Sequence, residues 1–208
     1  MAKNEIWTTI AAERQALAED LEGLTDKRWT TPSLCDGWTV RDIVAHMTAT
    51  AEMTPPKFFP KMIGAGFSLT KMSNKEIAKR VKGSPADTLA RFTSRINSRN
   101  HPPGPLDSWL GETIVHSEDV RRPLKIKHDY PTNALVRLAD FYRKSNLVLG
   151  GKKRVAGLTL RATDADWSAG SGPEVTGPLL SIVLAIAGRD AALTQLRGKG
   201  KEMLASRS

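Results

Sequence analysis

A mainly α protein, a helical bundle followed by a small α+β segment, is predicted by three observations. Apolar residues recur three and four apart through most of the first two thirds of the chain. Gly and Pro stand where those runs stop. After Gly150-Gly151 the pattern changes to alternating apolar and polar positions, the spacing of strands.

Ile6, Ile10, Ala11, Leu17 and Leu21 share one face of a helix over residues 4–21, and Gly23 stops it. A polar loop through Pro32 leads to Cys35-Asp36-Gly37-Trp38. Thr39 then stands as an N-cap with Asp42 three residues on, an approximate capping box, so a second helix runs through Val40, Ile43, Val44, His46 and Met47. Pro55, Pro56 and Pro60 interrupt the spacing and leave residues 53–70 as a broken helix or a packed loop rich in Phe and Met. Helical spacing returns over 73–82 and over 85–97, where Ala86, Leu89, Phe92 and Ile96 align. His101-Pro102-Pro103-Gly104-Pro105 enforces a turn. Leu106–Val120 reads as helix with Pro123 beyond its end, and one more helix follows Pro131 to about Val148. Val155–Ala162 alternates as a strand, Trp167–Val175 holds one or two more, and 177–196 reads as helix. A boundary near residue 130 divides a bundle, 1–130, from an α+β domain, 131–208.

The chain of 208 residues is long enough to bury its own core. With 40% hydrophobic and 25% charged residues it has the balance of a globular protein, which argues against disorder. The one cysteine, Cys35, excludes an internal disulfide framework. The longest apolar run, Pro178–Ala187, is too short to span a bilayer, and the N-terminus has no signal-peptide stretch, so a cytoplasmic protein with no membrane partner is expected. A net charge of +9 raises the question of nucleic acid, but the basic residues are scattered and few aromatics lie among them, so most read as solvated surface.

Glu112 and His116 are four residues apart and Asp119 follows three later, so a helix places all three on one stripe. A carboxylate and an imidazole one turn apart can share a metal ion with a ligand from a facing helix, and His46, in an apolar helical stretch, is the candidate. Two histidines and a carboxylate leave a coordination position open, as catalytic zinc requires. The same Glu–His spacing also fits a solvated helix pair. Cys35, with no base or cation beside it in sequence, reads as a small buried residue at a helix entrance. His101 and His128 are assigned no role. Gly188-Arg189-Asp190 fits a helix junction, and Arg189 is suited to a bidentate grip on a substrate carboxylate.

The run Ser33-Leu-Cys-Asp-Gly-Trp-Thr-Val-Arg-Asp-Ile-Val-Ala-His46 resembles the first signature of the mycothiol-dependent maleylpyruvate isomerase family, a branch of the DinB-like metal-binding bundles. Gly111-Glu112-Thr-Ile-Val-His116-Ser-Glu-Asp119-Val-Arg-Arg looks like the second signature. The stretch from Val175 through Gly188-Arg189-Asp190 to Gly198 is similar to the family's small C-terminal domain. The resemblance leaves residues 53–105 uncovered.

It implies a DinB-like four-helix-type bundle with a small α+β domain. It also implies that His46, Glu112 and His116 hold a divalent metal, usually zinc, that Asp119 is a catalytic or supporting carboxylate, and that Arg189 reaches toward the active site. In the family's namesake reaction mycothiol adds to a cis double bond, rotation follows, and the thiol leaves. The expectation is a metal- and thiol-dependent isomerase or S-transferase, with a low-molecular-weight thiol and a small electrophile as partners, acting as a monomer or weak homo-oligomer. The alternative is a non-catalytic metal-binding or regulatory module of the same fold.

Overall fold

The apolar stripe over residues 4–21 forms α1 (Lys3–Leu21) in the computed structural model of the chain, which describes residues 1–147 and 149–207. A short helix, α2 (Asp26–Trp29), adds Trp29 to the same core. The predicted capping box starts α3 (Val40–Glu52): Asp42 N donates to Thr39 Oγ1 at 3.2 Å and Thr39 N donates to Asp42 Oδ2 at 2.9 Å. Ile43, Val44 and Met47 of α3 pack with Leu17 and Leu21, with Phe92 of α6 (Pro85–Thr93) and with Val120 of α7 (Leu106–Leu124). α1 lies against α6 and α7, and α3 against α6 and α7.

Residues 53–70 take the first of the two alternatives, a broken helix rather than a packed loop. They hold α4 (Pro55–Gly64), with Pro55 in the first turn, where a missing N–H costs nothing, and no fully buried residue. Ser68 caps the next helix, α5 (Leu69–Arg80), its Oγ accepting from Lys71 N at 3.2 Å. Polar contacts rather than core hold α4 in place. Lys61 Nζ meets Glu76 Oε2 at 2.6 Å, and Lys75 Nζ donates to Gly64 O at 2.6 Å. Glu76 is only 3% exposed and also takes Lys79 at 2.6 Å and Arg80 at 2.9 Å, while Arg80 and Arg95 both bind Glu52 of α3.

Pro123, expected beyond the helix, lies inside α7, which runs to Leu124. A proline has no N–H to give the carbonyl four residues back, here that of Asp119. Leu34 N takes that carbonyl instead, at 3.2 Å, so the missing helical bond fixes the loop before α3 to α7. α7 ends at Lys125, which holds φ 58°, with Ile126 N donating to Arg121 O and Lys125 N to Arg122 O in a Schellman pattern.

These elements form one compact unit, Ala2–His128; a second takes the chain from Asp129 together with Met1. There α8 (Thr132–Tyr142) packs on α10 (Leu179–Ile186), and a short α9 (Gly151–Arg154) precedes the sheet. The predicted end of this first helix near Val148 falls on a residue outside those described, and α8 stops earlier, at Tyr142. The sheet has order β2-β1-β3, with β1 (Thr159–Ala162) antiparallel to β2 (Ser168–Gly170) and parallel to β3 (Glu174–Gly177). Leu160 and Val175 are register partners that turn toward the buried side, and β1 and β3 pack on α10. The helix predicted over 177–196 breaks at Gly188. That residue holds φ +82°, and Gly188 N and Arg189 N donate to Ala185 O and Leu184 O, the same Schellman closure. A 3₁₀ turn (Asp190–Gln195) and α11 (Lys201–Ala205) complete a mainly α chain with a small α+β end.

Burial alone would raise the Glu76 carboxyl, but hydrogen bonds from Lys61, Lys79 and Arg80 outweigh it and hold the group down at about 2. A depressed carboxylate stabilises the fold fully above its ordinary value and loses that contribution as pH falls toward the folded value. Chemical denaturation between about pH 5 and pH 2 is expected to show the native protein losing on the order of 2 kcal/mol more than Glu76→Gln. Parallel losses in the two proteins would remove the network from the account.

Candidate metal centre

Two helices supply the predicted ligands. α3 carries His46, and α7 carries Glu112, His116 and Asp119 on one stripe. The rings of His46 and His116 meet edge to face, centroids 4.9 Å apart and planes at 79°. Trp38 lies over His46 with centroids 5.0 Å apart, and its Nε1 donates to Asn74 Oδ1 at 3.0 Å, so the indole is held from α5.

Asp119 is wholly buried and its Oδ2 meets two donors. His116 Nδ1 lies 2.8 Å from it, and Cys35 Sγ donates to it at 3.1 Å. With Nδ1 on the carboxylate, Nε2 is the imidazole nitrogen left for a ligand, the arrangement by which carboxylates orient metal-binding histidines. The Cys35 expectation is corrected here. Its polar neighbours come from α7, not from adjacent residues, and the half-buried thiol sits 4.0 Å from His116 Nδ1. Local sequence held no sign of it, because the contact spans 84 positions and is made by the loop tied to the Asp119 carbonyl.

The electrostatics of the site are those of a low-dielectric pocket. Burial, with the neighbouring His116 charge, drives the His46 ring down to about 3 against the pull of Asp119, so His46 keeps its lone pair near neutrality. Burial would lower His116 too, but the hydrogen bonds to Asp119 and Cys35 and the charges of Asp119 and Glu112 raise it to about 10. Burial raises the Glu112 carboxyl, an effect opposed by Arg14, His116 and the hydroxyls of Thr50 and Thr113. Glu112 Oε2 takes a long contact from Thr113 Oγ1 at 3.5 Å, and Oε1 is buried with no hydrogen-bond partner. Arg14, itself 1% exposed, gives Nη1 to Ser98 O at 3.0 Å.

Two donor sets share His116. Cys35 Sγ, His116 and an Asp119 oxygen lie within 4.8 Å of one another. In that set, however, Asp119 Oδ2 already meets both a thiol and an imidazole nitrogen. Among the described residues the other set, His46, Glu112 and His116, does not bring its ligand atoms within that distance of one another. The Glu112 carboxylate nonetheless has a buried oxygen with no hydrogen-bond partner, and an unsatisfied buried acceptor is costly unless a cation or donor meets it. The imidazole–carboxylate chemistry of this second set fits a divalent ion.

Arg189 lies in the second unit, where it precedes the 3₁₀ turn and its Nη1 donates to Ala187 O at 3.0 Å. His128 pairs with Glu13 at 2.7 Å, and His101 lies between the rings of Trp7 and Trp109 at 5.7 and 5.6 Å, so both are held within the bundle. Among the described residues no helix is long and apolar enough to cross a membrane.

Residues 10–102 match the family model described as the mycothiol maleylpyruvate isomerase N-terminal domain. Two solved structures share the fold at 17% identity, over 97% of this chain and 94% of theirs. One is a mycothiol-dependent maleylpyruvate isomerase, with a TM-score of 0.63, and the other is a histidine-to-alanine mutant described under the same name, with 0.68. No curated protein sequence matches the chain.

In metal-free protein, histidine NMR titration is expected to find the His46 ring neutral down to about pH 3 and the His116 ring charged up to about pH 10. A raised histidine stabilises below its ordinary value and loses that contribution as pH climbs through the folded value, so Asp119→Asn should lower the His116 midpoint by more than one unit, by order of magnitude. A midpoint unmoved by that change would show that Asp119 does not hold the ring.

Proposed function

We infer that this chain, whose residues 10–102 belong to the mycothiol maleylpyruvate isomerase N-terminal domain family, is a thiol-dependent enzyme that binds a divalent ion, zinc by chemistry, through His46, Glu112 and His116. The observation that carries this reading is the buried, partnerless Glu112 Oε1 one helical turn from a histidine whose other nitrogen is tied to Asp119. When bound, such an ion supplies Lewis acidity, drawing a thiol toward its thiolate and polarising a substrate oxygen.

The chain's own groups do the rest. Asp119 holds His116 in one tautomer and orientation and is the carboxylate placed to take or return a proton through Cys35 or His116. His46 is kept neutral by burial. Trp38, anchored through Asn74, covers the His46 ring on one side and restricts water there. The electrophile is a small molecule with an activated cis double bond. The thiolate forms a C–S bond at one alkene carbon while the double-bond pair moves onto the activating carbonyl as an enolate. The former double bond, now single, turns, and the enolate pair re-forms the alkene in trans geometry as the C–S bond breaks and its pair leaves with sulfur as thiolate. In S-transfer the C–S bond persists and the thiol is consumed, so counting thiol separates the two reactions.

A second donor set, Cys35, His116 and Asp119, is favoured by the 4.8 Å grouping of its ligand atoms. The two sets differ in their tests. On the proposed reading purified protein given zinc holds one ion per chain, and His46→Ala loses it while Cys35→Ala keeps it. The reverse pattern would move the site to the cysteine, and no stoichiometric ion in the native protein would end both readings.

Proton accounting supplies a further check. His46 binds without losing a proton, whereas His116 must release one, so ion uptake at pH 7–8 is expected to liberate roughly one proton per ion, and more if Glu112 is protonated. Affinity should therefore rise with pH toward about 10, by up to tenfold per unit. Calorimetry in buffers of different ionisation enthalpy reads both quantities, and pH-independent uptake would contradict the assignment of His116.

A further inference from the structure

Among the described residues six large apolar side chains are exposed, and four of them fall within residues 59–69: Phe59 at 59%, Ile63 at 64%, Phe67 at 75% and Leu69 at 45%. This clustering is unlike the scattered exposed apolar residues normal on a soluble surface. α4 has apolar residues on both sides, Phe58 and Met62 half-buried and Phe59 and Ile63 outward. Its Lys61 points inward to the buried Glu76. Phe67 stands at φ 59°, a conformation a bulky side chain adopts only under constraint, and there it is the most exposed of the four.

The charge around the patch is of one sign. From Met53 to Lys75 the chain has no Asp or Glu, and of its four lysines Lys57, Lys71 and Lys75 are exposed while Lys61 is spent on Glu76. The first acid beyond, Glu76, is buried and already paired with cations. A second copy meeting this face about a two-fold axis would set lysines against lysines, in a chain that already carries +9. The complement is an anionic surface with apolar depth. The patch offers lysines and apolar groups but few directional donors and acceptors, whereas protein interfaces carry about ten hydrogen bonds. Lysines at headgroup level with Phe, Ile and Leu below them are the features of an interfacial anchor.

We propose that the α4–α5 face, led by Phe59, Ile63, Phe67 and Leu69, docks this protein onto an anionic lipid bilayer as a peripheral contact, with Lys57, Lys71 and Lys75 at the headgroups. This contact differs from a membrane span, and it stands independently of the metal and thiol chemistry.

The full chain is sedimented with vesicles of phosphatidylcholine alone and of phosphatidylcholine with roughly one part in three phosphatidylglycerol. Binding is expected only to the mixed vesicles and should weaken with salt. Both Phe59→Ser with Phe67→Ser and Lys57→Glu with Lys71→Glu should lower the partition coefficient by at least about tenfold. These side chains are exposed, so circular dichroism and zinc content should match the native protein, which separates loss of docking from loss of fold or of the metal site. Native protein left in the supernatant with anionic vesicles, or variants that bind as the native chain does, would overturn the proposal; the former result would point to an acidic protein as the occupant.

Discussion

The site depends on the burial of one carboxylate. Asp119 is out of reach of water, so its charge must be met by protein donors, and His116 Nδ1 and the Cys35 thiol meet it. That requirement orients the imidazole. It also draws the loop before α3 onto α7, where the Asp119 carbonyl, lacking a helical donor because Pro123 stands four residues on, takes Leu34 N. One residue thus fixes a ring through its side chain and a loop through its backbone. A proline that elsewhere would break a helix here leaves an acceptor free for a long-range contact.

Around that couple the pocket behaves as a medium that resists isolated charge. It drives His46 neutral and raises Glu112, while the ion pair of His116 and Asp119 stays charged because its members touch. Arg14, buried behind Glu112, offsets part of the carboxylate's cost but leaves Oε1 without a hydrogen bond. Side chains alone do not balance this arrangement. A divalent cation held there, as proposed, would do so with its ligands already desolvated, so the cost of stripping water from them would be met in folding rather than in binding.

Much of the fold and part of the site were legible in the sequence. The capping box of Thr39 and Asp42, the stripe of α1 and the Glu112–His116–Asp119 spacing are local signals, and each is realised as periodicity and cap chemistry dictate. The mainly α fold with a small α+β end follows from the same signals. What escaped was non-local. Cys35 meets Asp119 across 84 positions, and no neighbour of Cys35 in sequence announces the base it will find. A rule about missing donors predicts Pro123 outside the helix. The rule holds for the hydrogen bond but not for the helix, because a partner from another segment compensates. The break at Gly188 was available to inspection, but an apolar run on both sides masked it.

For residues 53–70 the sequence left two alternatives, a broken helix or a packed loop, and the structure takes the first. Binary patterning assumes that apolar groups seek the interior, and that is the ground on which Phe, Met and Pro together also suggest packing. In the structure Met53 and Ala65 are buried and Phe58 and Met62 half-buried, while Phe59, Ile63 and Phe67 stay exposed and Lys61 turns inward to the buried Glu76, so the rule holds for only part of the segment. Folding alone gives no reason to leave those three exposed. Exposing Phe59, Ile63 and Phe67 forgoes burial energy, and pairing Lys61 with a desolvated Glu76 recovers only part of it. Departures from local consistency tend to fall where a protein meets something other than itself. The apolar energy withheld in the free chain is then available for contact, and the lysine stretch, uninterrupted by any acid, indicates the sign of the surface that would receive it.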